Sequence, residues 1–128
     1  MQKILIIDFG SQVTQLIARR VRENGVYSEI VRFNTAQKAL DEMTDIMAII
    51  LAGGPQSVAD ENSARAPEQV FNMNVPVLGI CYGQQTMCAQ LGGAVEKTDE
   101  REFGRADLTV TKANKLFSGV IAEGTSEV

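Results

Sequence analysis

The sequence predicts an α/β protein: a doubly wound, mostly parallel sheet with helices on both faces. Two observations carry that prediction. Several short apolar runs are almost unbroken, as strands covered on both faces require. These runs alternate with segments whose apolar residues recur at helical spacing, giving β-α four times over; such alternation argues parallel strands joined by helical crossovers.

The elements follow in order. "KILIIDFG", Lys3 to Gly10, is the first strand, closed by Asp-Phe-Gly. "SQVTQLIARRVRENG" is the first helix, with Ser11 as its cap and Val13, Leu16, Ile17 and Val21 as its apolar stripe. Arg19, Arg20 and Arg22 suit the negative helix end, and Asn24-Gly25 stops it. "YSEIVRF" alternates more and reads as the second strand; "AQKALDEM" is a short helix. "DIMAIILAGGP" is the third and most apolar strand, stopped by Gly53-Gly54-Pro55. "QSVADENSARAPEQVFNMN" begins as loop and ends as a short helix near Pro67 to Asn72. "VPVLGIC" is the fourth strand, and "YGQQTMCAQLGG" the helix after it, ended by Gly92-Gly93. From Ala94 the pattern changes. "AVEK" and "DLTVTK" read as strands of a hairpin-like unit around a charged turn, and "LFSGVIAEGTSEV" is short and turn-rich. Without a repeat, a low-complexity segment or a linker, residues 1–128 read as one domain.

Composition excludes several classes of function. The chain has 128 residues, 45 % hydrophobic and 22 % charged, an ordinary globular balance. Its net charge of −4 argues against a nucleic-acid partner. No apolar run approaches the length of a membrane span, and the N-terminus opens on a strand pattern, so neither membrane insertion nor a signal peptide is expected. Cys81 and Cys88, on one helix, would stand about 10 Å apart, too far for a disulfide. Free thiols fit a reducing, cytoplasmic setting. With no histidine and two isolated cysteines, no metal site is expected. No G-x-G-x-x-G or P-loop pattern is present, so no dinucleotide or ATP site is expected in this domain. Asp8-Phe9-Gly10-Ser11 shares letters with a kinase motif whose companions are missing, and reads as strand end, turn and helix cap.

Gly79-Ile80-Cys81-Tyr82-Gly83 is G-x-C-x-G, the layout of a nucleophile elbow with sulfur in place of oxygen. Such a nucleophile sits on a sharp, strained strand-to-helix turn, and glycines two residues before and after remove side chains that would collide across it. The thiol of Cys81 then projects from the carboxyl edge of the sheet, where open α/β folds bind ligands. It also stands at a helix N-terminus, a position that favours a thiolate. Cys88 has no such surroundings and reads as core. Attack on an amide carbonyl needs donors for the developing oxyanion. Elbow enzymes take one N–H from the residue after the nucleophile and one from a neighbouring strand-to-helix loop; here these are Tyr82 and Gly54. Gly53 beside it allows close approach of a substrate. Gln85 lies one helical turn from Cys81, within reach of a substrate held there.

"GGPQSV", "VPVLGICYGQQ" and "AQLGG", three blocks in order and at sensible spacing, together resemble the class I, triad-type glutamine amidotransferases, and the resemblance covers the whole chain. The opening "ILIIDFGSQVTQLIARRVRENGVYSEI", with "ENSARAP" further on, resembles the branch that feeds purine-nucleotide amination. The resemblance implies a flavodoxin-like sheet and a glutaminase in which Cys81 attacks the side-chain amide of glutamine. Gly54 and Tyr82 would supply the oxyanion N–H groups, and Gln85 and Gly53 would help hold the glutamine. It implies as partner an ATP-pyrophosphatase synthetase domain or subunit that receives the ammonia and aminates xanthosine monophosphate. ATP and magnesium belong to that partner, and the full-length protein is expected to be a homo-oligomer. The family completes its triad with His and Glu from a later segment, whereas this chain has no histidine. The expectation is therefore an incomplete N-terminal portion of the domain, with little activity alone. Two other readings compete. One is the glutaminase of another biosynthetic amidotransferase, serving anthranilate, carbamoyl-phosphate or CTP synthesis. The other is a non-catalytic flavodoxin-like binding module.

Overall fold

A computed structural model describes residues 2–56, 63–96, 106–112, 114–120 and 124–127. The chain divides into two compact units, Met1–Glu96 and Lys97–Val128. The first unit runs β1 (Lys3–Asp8), α1 (Thr14–Glu23), β2 (Tyr27–Arg32), α2 (Ala36–Glu42), β3 (Ile46–Leu51), a 3-10 helix (Glu68–Asn72), β4 (Val77–Gly79) and α3 (Tyr82–Gln90). The strands form one parallel sheet in the order β2-β1-β3-β4. Sequence neighbours that are not sheet neighbours mark the winding. β1 lies between β2 and β3, so the chain builds outward first on one side and then on the other.

The unbroken apolar runs are explained by two buried faces. Leu5, Ile7, Ile49 and Leu51 pack on one side with Ala36 and Leu40 of α2, Val70 of the 3-10 helix and Tyr82 of α3. Ile6, Ile50 and Ala52 point to the other side, against Ala18, Ile17 and Val21 of α1. Adjacent residues thus serve opposite cores, and each fully buried Leu or Ile contributes about 1.5–3 kcal/mol. On the α1 side the cover is thinner. A cleft of about 480 Å³ opens between α1 and the sheet, lined by residues that include Ile17, Val21, Leu78 and Ile80. Val13 and Leu16, predicted for the buried stripe, are 45 % and 48 % exposed.

Ser11 does not cap α1. The helix begins at Thr14, with Val13 at its N-cap position and no side-chain cap. The reason is a turn fixed by Asp8, whose Oδ1 accepts the Gly10 N–H and the Thr14 hydroxyl, both at 2.9 Å. Ser11 lies within that turn: its Oγ accepts the Val13 N–H at 3.1 Å and its carbonyl accepts the Thr14 N–H at 3.4 Å. The predicted fourth strand shortens to three residues, Val77 to Gly79, which stand in register with Ile49 to Leu51 of β3.

In the second unit β5 (Asp107–Val110) pairs antiparallel with β6 (Gly124–Glu127). The predicted pairing of "AVEK" with "DLTVTK" is therefore corrected: Ala94 to Glu96 form no strand, and Lys97 with the charged turn lies outside the described residues. The helix before them, α3, ends on the two glycines. Gly92, at φ +94°, and Gly93 donate their N–H groups to Ala89 and Cys88 carbonyls, a Schellman ending. Val95 then packs on the core.

Candidate active site

The parallel register brings all four strand exits to one edge of the sheet. Leu51 stands opposite Gly79, and the Ile80 N–H extends the ladder to the Leu51 carbonyl at 2.9 Å. Just beyond the two strand ends, Cys81 and Gly53 therefore emerge side by side. Cys81 adopts φ 54°, ψ −119°, a region that costs a non-glycine residue of order 1–3 kcal/mol. Its thiol is free and exposed. The two other walls of the elbow show why they are glycine. A Cβ on Gly79 would stand 2.6 Å from the Gln84 Cα, and one on Gly83 would run into the Leu51 carbonyl and stand 2.7 Å from its Cβ. The first turn of α3 thus presses directly on β3 and β4, and only a chain without side chains at both positions can turn there.

The backbone donors follow from helix geometry. The Gln84 and Gln85 N–H groups reach the Cys81 carbonyl, both at 3.1 Å. Among the described residues, the N–H groups of Tyr82 and Gly54 donate to no backbone carbonyl, as expected of a first helical turn and an open loop. Gln85 is half-buried, one turn along α3 from Cys81.

Gly53 lies against Cys81. A Cβ there would touch Cys81 Cβ at 3.4 Å and the Ser11 side chain at 3.5 Å. These are ordinary contact distances, so Gly53→Ala is expected to fold normally while filling the gap between Cys81 and Ser11. Its melting temperature should stay within about two degrees of wild type, which a thermal melt checks.

Gly54 is pinned differently: a Cβ would strike the Phe9 carbonyl oxygen and stand 2.8 Å from Phe9 Cβ. A Cβ on Gly10 would in turn stand 3.3 Å from the Pro55 Cδ. The turn after β1 and the loop after β3 therefore interlock, Phe9-Gly10-Ser11 against Gly53-Gly54-Pro55. Behind them the Phe9 ring stacks on Phe33, with centroids 5.9 Å apart, and meets the Tyr82 ring at 5.2 Å.

Sequence reasoning assigned Tyr82 only a backbone role, yet its side chain is 2 % exposed and its hydroxyl donates to the Ala64 carbonyl. Gln90 brackets Ala66, donating to its carbonyl at 2.8 Å and accepting its N–H at 3.0 Å, and Thr86 donates to Gln90. Tyr82, Thr86 and Gln90 recur every four residues, so one face of α3 grips the segment 64–66. That spacing was the signal that could have revealed them. Tyr82→Phe keeps the ring contact and orphans the Ala64 carbonyl; a loss of about 1–2 kcal/mol in a urea titration is expected. Cys88 is half-buried, with its Sγ 3.8 Å from the Ala94 carbonyl it donates to. Among the described residues no three His, Cys, Asp or Glu side chains group as metal ligands, and no helix is long and apolar enough to cross a membrane.

A cysteine elbow at the carboxyl edge of a doubly wound sheet narrows the class. Residues 5–126 match the family described as glutamine amidotransferase class-I, and the chain belongs to that family. More particularly, the chain is 62 % identical over 123 residues to the glutamine-hydrolyzing GMP synthase of Bradyrhizobium diazoefficiens, covering 96 % of this chain and 22 % of that protein. It is 59 % identical over 122 residues to the GMP synthase of Brucella melitensis biotype 1, covering 95 % of this chain and 24 % of that protein. The chain thus spans less than a quarter of the length of these curated relatives. Among solved structures, a protein described as a GMP synthase subunit of Thermoplasma acidophilum matches with a TM-score of 0.76 and 27 % identity, over all of this chain and 67 % of that one.

Proposed function

We propose that this chain carries the nucleophile half of a glutaminase that supplies ammonia to GMP synthesis. The single observation behind it is the strained, exposed Cys81 at the elbow, in a chain this similar to GMP synthases. The Cys81 sulfur attacks the side-chain amide carbon of glutamine, forming a C–S bond. The carbonyl oxygen becomes an oxyanion that accepts the Tyr82 and Gly54 N–H groups; each such donor is worth about 10²–10³ in rate. Collapse breaks the C–N bond, and the proton originally on the thiol leaves with nitrogen as ammonia. Water then attacks the thioester, giving glutamate and restoring the thiol. Gln85 holds the glutamine and Gly53 leaves it room.

This chain contains no imidazole, so the proton transfers that a histidine performs in the family are assigned to no residue of this chain. The ammonia goes to an ATP-pyrophosphatase synthetase part, which binds ATP and magnesium and aminates xanthosine monophosphate to GMP. The whole works in the cytoplasm as a homo-oligomer.

The test compares the protein at its natural length with residues 1–128 alone. The natural-length protein should release glutamate from glutamine and aminate xanthosine monophosphate in an ATP-dependent way. Residues 1–128 alone should hydrolyse glutamine at least about 10²-fold more slowly, since the acid–base group is missing. Amination of a different acceptor, or equal turnover by the short chain, contradicts the proposal.

A further inference from the structure

The turn between β1 and α1 faces the nucleophile, yet the mechanism above gives it no task. We propose that Ser11 contacts the reacting carboxamide directly, its Oγ accepting an N–H of the nitrogen that leaves. The inference rests on the glutaminase reading of Cys81 and assigns a residue to a part of the substrate which that reading leaves unbound.

Placement comes first. Ser11 Oγ and Cys81 Cβ flank the open Cα of Gly53, 3.5 and 3.4 Å from the point a Cβ would fill. A planar group laid over Gly53 in contact with Cys81 therefore also meets Ser11. The hydroxyl is held there. Asp8 fixes the turn through Gly10 and Thr14, the Val13 N–H donates to Ser11 Oγ, and Gly10 packs on Pro55.

Hydrogen-bond capacity then decides what Ser11 binds. A hydroxyl offers one proton and two lone pairs, and Val13 occupies one lone pair. A carboxamide presents an oxygen that accepts and a nitrogen that donates. The Tyr82 and Gly54 N–H groups serve the oxygen and, being donors, cannot serve the nitrogen. The remaining Ser11 lone pair can. Binding both ends of the amide fixes its plane, and the nitrogen keeps its acceptor as it departs as ammonia. An ester, which has no N–H at this position, gains nothing from that lone pair.

The experiment is steady-state hydrolysis of glutamine and of γ-glutamyl methyl ester by the natural-length protein, as wild type, Ser11→Ala and Ser11→Thr. For Ser11→Ala, kcat/KM on glutamine should fall about tenfold while kcat/KM on the ester changes less than about twofold. Ser11→Thr keeps the hydroxyl and should keep the wild-type ratio of amide to ester. The ratio does not depend on the fraction of a variant that folds. Equal losses on both substrates would mean that Ser11 only braces the turn, and an unchanged ratio in Ser11→Ala likewise overturns the assignment. A wild-type protein that hydrolyses neither substrate contradicts the glutaminase reading itself, and Ser11 falls with it.

Discussion

Replacing Cys81 with glycine is expected to raise the melting temperature while abolishing glutamine hydrolysis. At φ 54°, ψ −119° the residue holds a conformation that costs a side-chain-bearing residue of order 1–3 kcal/mol. Glycine removes that strain and returns part of the gain through the greater entropy of its unfolded chain, about 0.5–1 kcal/mol. The net is about 1 kcal/mol, or a few degrees. Cys81→Ala separates the two effects. It keeps the strain and removes the sulfur, so it should melt near wild type while turnover drops by about four orders of magnitude or more. Thermal melts of the three proteins and their glutamate release check this. A glycine variant less stable than the alanine variant would show that the elbow is not strained.

The second large effect falls on Gly83, in the first turn of α3. A Cβ there meets the Leu51 carbonyl, part of a buried strand, rather than the end of a flexible side chain. Neither partner can move alone: β3 is paired on both sides, and α3 is tied down by Tyr82, Thr86 and Gln90. Gly83→Ala should therefore cost about 4 kcal/mol or more, a size reached only by overpacking and similar core faults. Gly92→Ala is the control. Its Cβ would meet nothing within 4 Å, and only its positive φ is offended, so about 1 kcal/mol is expected. Denaturant titration of both variants gives the comparison. Losses of equal size would contradict the close approach of α3 to β3.

What could be read from the sequence, and what could not, follows from how far each signal reaches. The G-x-C-x-G spacing records a local collision across one turn, so Gly79, Cys81 and Gly83 were legible as letters. The doubly wound sheet was legible because residues buried on both faces leave an unbroken apolar run, as in Ile49-Ile50-Leu51. Ser11 was misread because a serine before an apolar stripe is the ordinary sign of a helix cap. The turn that Asp8 builds by accepting the Gly10 N–H and the Thr14 hydroxyl, six residues on, is not visible in that pattern. Phe9 and the Tyr82 side chain gained their places through a contact between the turn after β1 and α3, which no local period encodes. "AVEK" alternates well enough for a strand, but Ala94 to Glu96 form none, and Val95 packs on the core instead.

The most direct measurement is site-resolved labelling of the natural-length protein by a diazoketone analogue of glutamine, read by peptide mass spectrometry. Attack by the Cys81 sulfur predicts a single adduct on the peptide that carries Cys81, suppressed by excess glutamine, with Cys88 unmodified. An adduct on Cys88, or glutamine turnover that persists with Cys81 unmodified, would contradict it.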